Sequence, residues 1–288
     1  MSRPPTFVPP ACARSVRLVT ARGEFAVLDA RPPAGEPRAT VVLLPGYTGS
    51  KEDFIALLEP LAAAGFRAVA VDGRGQYETE GPAEEAAYAQ GELAADVLAQ
   101  AAALATGGAP LHLVGHSLGG QIARAAVLRD RSPFRTLTLM SSGPAAVSEP
   151  QQQKVKLLAD ALAVMTMDEV WTAIQALEAP TPEDTETGTN GDRDDLRARW
   201  LRHNPAQLLA TGRQLTVEPD RTDELRALGL PLHVLSGERD DTWPVPLLTA
   251  TAERLGAART VIAGADHSPN TDRPAETARA LIGFFGNH

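Results

Sequence analysis

A chain of 288 residues, 43% of them hydrophobic, is long enough to bury a large core and is not composed like a disordered one. Its net charge of −9, with arginine scattered rather than clustered, argues against a nucleic-acid partner held through phosphates. The one cysteine, Cys12, offers no internal disulfide and no cysteine metal site, and neither Met1 to Pro10 nor any other stretch reads as a signal peptide or membrane span, so a cytoplasmic setting without a membrane partner is expected.

Val16 to Val19 and Glu24 to Leu28 alternate apolar and polar residues about Arg22-Gly23, the pattern of a hairpin. Ala39 to Leu44 is a short unbroken apolar run, as expected of a strand buried on both faces. It ends at Pro45-Gly46-Tyr47-Thr48-Gly49, and Ser50 with Asp53 then reads as a capping box before a helix carrying Phe54, Ile55, Leu57, Leu58 and Leu61. The alternation repeats: a strand from Arg67 to Asp72, a loop from Gly73 to Pro82, and a long alanine-rich helix from Glu84 to Ala105. Leu111 to Val114 forms the next strand, followed by a sharp turn and a helix from Gln121 to Leu128. A further strand runs from Arg135 to Met140. Strands interleaved with helices call for a mostly parallel central sheet flanked by helices on both faces, with ligands at the carboxyl ends of the strands.

From Ala145 to about Leu228 only helical patterns appear, which predicts a helical insertion into a core made of 1–144 and 229–288. Asn204-Pro205 is expected to cap one of its helices, and the acidic, breaker-rich Pro180 to Asp195 reads as a solvated loop. Met165 and Trp171 fit an apolar pocket under this insertion as well as they fit the insertion's own core. Trp243, outside it, is a third candidate for substrate contact. Leu230 to Ser236, a helix from Pro246 to Leu255, Arg259 to Ile262 and a last helix from Pro274 to Phe285 complete the alternation.

The break after Val114 reads Gly115-His116-Ser117-Leu118-Gly119, the form G-x-S-x-G. A serine at such a turn projects from the sheet, and the amide of Leu118 can face the same point. By itself the pentapeptide is equally a glycine-rich turn with an ordinary serine. A serine hydroxyl attacks a carbonyl only when a base takes its proton and a carboxylate orients that base. Of the six histidines, His112 and His233 alternate within strands as core residues, His203 lies in the insertion, His288 is terminal, and His116 is expected to point elsewhere on the tight turn. His267, in a loop after the last strand, is left as the base. The preceding strand ends in Ser236-Gly237-Glu238-Arg239-Asp240-Asp241-Thr242-Trp243-Pro244, where two acids compete.

Together, G-x-S-x-G at Gly115 to Gly119, G-x-x-D-x-x-x-P at Gly237 to Pro244 and His267 near the end resemble the α/β-hydrolase family in its Ser, Asp, His order. The resemblance covers about Val41 to Phe285 without the insertion. It implies an α/β-hydrolase fold with a helical cap, places the acid at Asp240 with Asp241 as the alternative, and makes Pro45-Gly46-Tyr47 the oxyanion loop, with the amides of Tyr47 and Leu118 as donors. Proline stands where the family usually has histidine. Asp72-Gly73-Arg74-Gly75 resembles the family's structural D-x-R-G loop, with Tyr77 where glycine is usual. The implied activity is hydrolysis of a carboxylic ester of a small or medium-sized apolar substrate, without cofactor or metal. An amide, thioester, lactone or carbon-carbon bond as target, or a non-hydrolytic use of the pocket, is the alternative. The oligomeric state is not legible.

Overall fold

The computed structural model describes residues 2–105, 111–177 and 190–288. Eight strands form one sheet: β1 (Ala13–Thr20), β2 (Gly23–Ala30), β3 (Thr40–Leu44), β4 (Arg67–Val71), β5 (Leu111–His116), β6 (Phe134–Met140), β7 (Leu232–Gly237) and β8 (Ala258–Ile262). Their order is β1-β2-β4-β3-β5-β6-β7-β8. The hairpin β1–β2 is antiparallel, β2 runs antiparallel to β4, and β3 to β8 are all parallel, so the sheet is mostly parallel as the alternation predicts.

Around it pack α1 (Ile55–Ala63), α2 (Gln90–Leu104), α3 (Leu118–Arg129), α4 (Glu149–Leu162), α5 (Met167–Leu177), α6 (Asn190–Leu201), α7 (Pro205–Val217), α8 (Thr222–Ala227), α9 (Val245–Leu255), α10 (Pro269–Asp272) and α11 (Pro274–Gly286). Every residue of β3, β5 and β7 is buried. Two apolar clusters cover the two sheet faces, one containing Val42, Leu113 and Val234, the other Leu43, Val114 and Leu235. Alternate residues of each strand thus serve opposite layers, each buried branched side chain being worth about 1.5–3 kcal/mol.

Two segments differ in kind from expectation, while β1 and α3 only begin three residues earlier, at Ala13 and Leu118. The helix foreseen from Glu84 to Ala105 is a short 3-10 turn, Glu85–Tyr88, and then α2, because Ala89 is extended (φ −56°, ψ 143°). Tyr88, buried and donating its hydroxyl to the Pro82 carbonyl at 2.6 Å, belongs to the loop rather than to the helix that follows. Most of the acidic stretch Pro180 to Asp195 lies outside the described residues. Its end is helical rather than loop, since α6 starts at Asn190 and Asp194 and Asp195 fall in its opening turns, where acids complement the helix dipole.

Between 145 and 228 the described residues form no strand. Asn204 caps α7 as expected, its side chain accepting from the Ala206 amide at 2.9 Å. The two ends of this helical stretch meet. Ala146 N donates to Glu218 O and Val147 N to Leu215 O, and Trp243 Nε1 reaches the carbonyls of Ala145 and Ala146. Arg124, on α3, donates to the Gly143 and Pro144 carbonyls and pairs with Glu218 at 2.7 Å, both side chains almost fully buried.

Candidate active site

Ser117 joins β5 to α3 with φ 54° and ψ −120°, a left-handed conformation that a residue with a Cβ adopts only under strain. The surrounding glycines explain the motif. A Cβ on Gly115 would run into the carbonyl of Gly119, and one on Gly119 would meet the carbonyls of Leu44 and Pro45. The Ser117 amide is tied to the Met140 carbonyl at 2.9 Å, which fixes the tip of the turn between β3 and β6.

His267 follows β8, and Asp240 follows β7. His267 Nε2 lies 3.0 Å from Ser117 Oγ, and His267 Nδ1 lies 2.9 Å from Asp240 Oδ1. A carboxylate only accepts, so Nδ1 carries the proton and Nε2 presents its lone pair to the serine hydroxyl. Asp240 Oδ1 also accepts from the amides of Thr242 (2.9 Å) and Trp243 (3.1 Å), and its side chain is fully buried. Three donors on one oxygen hold that carboxylate in place. Asp241, the competing acid, faces the other way: its carboxylate is 68% exposed and accepts from Gln151 Nε2 at 2.6 Å and Lys154 Nζ at 3.4 Å.

The backbone amides of Tyr47 and Leu118 donate to no protein acceptor among the described residues. The Gly46–Tyr47 peptide is oriented from behind. Gln76 Nε2 donates to the Gly46 carbonyl at 2.8 Å, and a planar trans peptide then points the Tyr47 N–H to the opposite side. Gln76, which the sequence reading passed over, is buried in the loop after β4. The Tyr47 side chain stands upright, its hydroxyl donating to the Leu208 carbonyl of α7 at 2.7 Å, and burial raises its pKa. Tyr77, where glycine is usual, does take φ 41°. Beside it Lys51 Nζ is fully buried among Asp72 (2.8 Å), Glu52 (2.8 Å) and Glu78 (2.7 Å), with its charge over the Tyr77 ring. The Asp72 loop is held by this cluster.

The three candidate substrate contacts separate. Met165 and Trp171 belong to an apolar cluster with Val170, Trp200 and Leu208, against which Tyr47 also packs. Trp171 is buried and Met165 half-buried, so packing accounts for both. Trp243 is fully buried with its N–H on backbone carbonyls, 6.3 Å from the His267 ring; it packs as a core residue rather than as a wall open to a ligand. His112 and His233 are core residues, bonded to Thr136 (2.8 Å) and Thr260 (2.9 Å). His116, expected to point away, does not: its ring lies 5.1 Å from that of His267, and its Nε2 meets the His267 carbonyl at 2.9 Å. Among the described residues no group of three or more His, Cys, Asp or Glu could hold a metal ion, and no helix is long and apolar enough to cross a membrane.

The model of the alpha/beta hydrolase family matches residues 41–280. Over 188 residues the chain is 29% identical to a pimeloyl-[acyl-carrier protein] methyl ester esterase of Aeromonas hydrophila, an alignment covering 61% of this chain and 70% of that one. Over 184 residues it is 27% identical to a 2-succinyl-6-hydroxy-2,4-cyclohexadiene-1-carboxylate synthase of an Enterobacter species, covering 59% and 64%. Among solved structures, that of a thermophilic esterase from Thermogutta terrifontis superposes with a TM-score of 0.74 at 22% identity, over 96% of this chain and 99% of that one, a likeness of fold.

Proposed function

The chain belongs to the alpha/beta hydrolase family, and from that premise we propose that it is a serine hydrolase cleaving a carboxylic ester of a small or medium-sized apolar substrate through an acyl-enzyme. The observation that carries this reading is the unbroken chain of contacts from Ser117 Oγ through His267 to buried Asp240, at 3.0 and 2.9 Å. His267 Nε2 takes the hydroxyl proton as Ser117 attacks the ester carbonyl. The oxyanion that forms is met by the amides of Leu118 and Tyr47, neither of which has an acceptor among the described residues, so both donors are free for it. His267 then gives its proton to the leaving alkoxide, and the same base activates water to release the acid. Asp240 holds the tautomer and offsets the imidazolium charge. Residues 145–228 serve in this reading as a cap over the site, anchored through Tyr47 to Leu208. The esterase name of the Aeromonas relative points the same way.

A fluorophosphonate probe should label the wild type and leave Ser117→Ala unlabelled, and p-nitrophenyl esters of increasing chain length should be hydrolysed with a maximum at short to medium acyl groups. Equal labelling of the two proteins would refute the assignment. A second reading, use of the same residues without hydrolysis, is favoured by the synthase name of the Enterobacter relative. It would be preferred if the probe labels Ser117 while esters, thioesters, lactones and amides are all left intact.

A further inference from the structure

His116 combines features that the mechanism above does not use. It is 3% exposed, and it immediately precedes Ser117 in the chain. Its Nε2 lies 2.9 Å from the backbone carbonyl of His267, so that nitrogen carries the ring proton and donates it. The other nitrogen, Nδ1, is buried without a partner. An orphaned polar atom costs about 1–3 kcal/mol, which a phenylalanine here would not incur. On its third side the ring flanks Gly46, whose added Cβ would stand 3.4 Å from Nδ1. One side chain therefore touches the residue bearing the base and the oxyanion loop, and is covalently next to the nucleophile.

We propose that His116 is a positioning residue for the hydrolytic reaction, its Nε2–H holding the His267 backbone so that the imidazole spans Ser117 and Asp240. The contact matters because His267 sits in a loop with its side chain 25% exposed, its aromatic neighbours being the rings of His116 at 5.1 Å and Trp243 at 6.3 Å. Loss of the donor lets that loop drift, and displacement of a base by a fraction of an ångström weakens proton transfer. The ring also remains neutral: burial, and then the neighbouring His267, push its pKa down to about 4, with Asp53 and Asp240 the ionisable groups that pull the other way. A neutral donor fixes the base without adding a positive charge that would oppose the imidazolium formed in the reaction.

The inference rests on the proposed reading of Ser117, His267 and Asp240. Its test compares wild type, His116→Phe, which keeps a ring without the donor, and His116→Gln, which keeps an N–H near the place of Nε2. With p-nitrophenyl butyrate, His116→Phe should lose at least fivefold in kcat with KM within about twofold, while His116→Gln keeps more than a third of wild-type kcat. A smaller loss in His116→Phe, or an equal loss in both variants, overturns the proposal. The second readout is independent of turnover: the low-field proton resonance of the His267–Asp240 bond, assigned by its absence from Asp240→Ala. It should be broadened or lost in His116→Phe and kept in His116→Gln. If His116→Phe does not fold, His116→Gln decides alone, retention of resonance and kcat supporting the proposal and their loss overturning it. If the wild type neither hydrolyses the ester nor takes up fluorophosphonate, the functional reading fails, and the resonance still decides whether His116 holds His267.

Discussion

Replacing Asp240 by Asn removes a charge while leaving the shape of the acid. All three donors on Asp240, from His267, Thr242 and Trp243, converge on Oδ1, and Oδ2 is buried without a partner. An amide oxygen in the Oδ1 position can go on accepting from them, so the loop should keep its conformation. The buried NH2 then has no acceptor, at a cost to stability of about 1–3 kcal/mol. What disappears is the attraction between the carboxylate and the imidazolium of the transition state. With the nitrogen and oxygen 2.9 Å apart, charge centres roughly 4 Å apart in a medium of effective dielectric about 20 attract by about 4 kcal/mol. That energy corresponds to a roughly thousandfold fall in kcat. Asp241→Asn is the internal control: its carboxylate is 68% exposed and touches Lys154 only at 3.4 Å, so turnover should stay within about threefold and stability within a few tenths of a kcal/mol. Initial rates on a p-nitrophenyl ester, with melting temperatures on the same preparations, check both. If Asp241→Asn loses as much turnover as Asp240→Asn, the assignment of the acid and the electrostatic argument fall together.

Arg124→Met leaves the buried Glu218 carboxylate with Gln90 alone and should destabilise the fold by about 3–5 kcal/mol in urea titration; the double variant Arg124→Met, Glu218→Leu should recover part of it, the Gly143 and Pro144 carbonyls still lacking their donor, and an undiminished loss in the double variant would refute the role of that pair. Gly119→Ala drives a Cβ into the carbonyls of Leu44 and Pro45, backbone that yields little, and should cost about 1–3 kcal/mol or more together with most of the proposed ester hydrolysis; a wild-type melting temperature and rate would contradict the geometry of the turn. Burial holds the pKa values of His112, His116, His203 and His233 at about 4, below the ordinary value. The folded chain thus binds fewer protons than the unfolded chain between about 6.5 and that value, so stability is full above about 6.5 and declines as pH falls through the window. Melting temperatures measured at about pH 7.5, 6 and 5 should decrease in that order despite the opposite pull of Asp72, whose carboxyl is raised by burial; a flat profile would refute the count.

The inner strands were legible as short apolar runs with glycine or proline close behind, the hairpin β1–β2 as an apolar-polar alternation about Arg22-Gly23, and strand-end loops carrying Ser117 and His267 follow from the order of strands and helices alone. Between Asp240 and Asp241 residue chemistry is silent. The choice depends on which carboxylate turns inward onto the amides of Thr242 and Trp243, and adjacent residues of a turn look identical in that respect. His116 was misread as part of the turn. It is the last residue of β5, so the strand's alternation directs its ring to the same face as His112 and Val114. Gln76 could have been suspected only from its place after β4, since nothing in its own neighbourhood marks it as the partner of the Gly46 carbonyl 30 residues away. The N-terminal half of α6 was hidden by composition: acids that signal a loop in isolation are also what the first turns of a helix prefer.

The meeting of Ala146 and Val147 with Glu218 and Leu215 bears on how the fold tolerates a change of length. Where both ends of a segment are already hydrogen-bonded to each other, the chain entropy of closing it grows only slowly with its length, each doubling adding about 0.6 kcal/mol. Changes of length in the stretch between them therefore add little closure cost of their own. What an exchange of its helices must keep is their contacts with the rest of the chain, among them Ser148 and Gln151 on the Asp241 turn, Tyr47 on Leu208, Asp53 on Arg199, His203 on the Gly49 carbonyl and Asn204 on the carbonyls of Gly81 and Pro82.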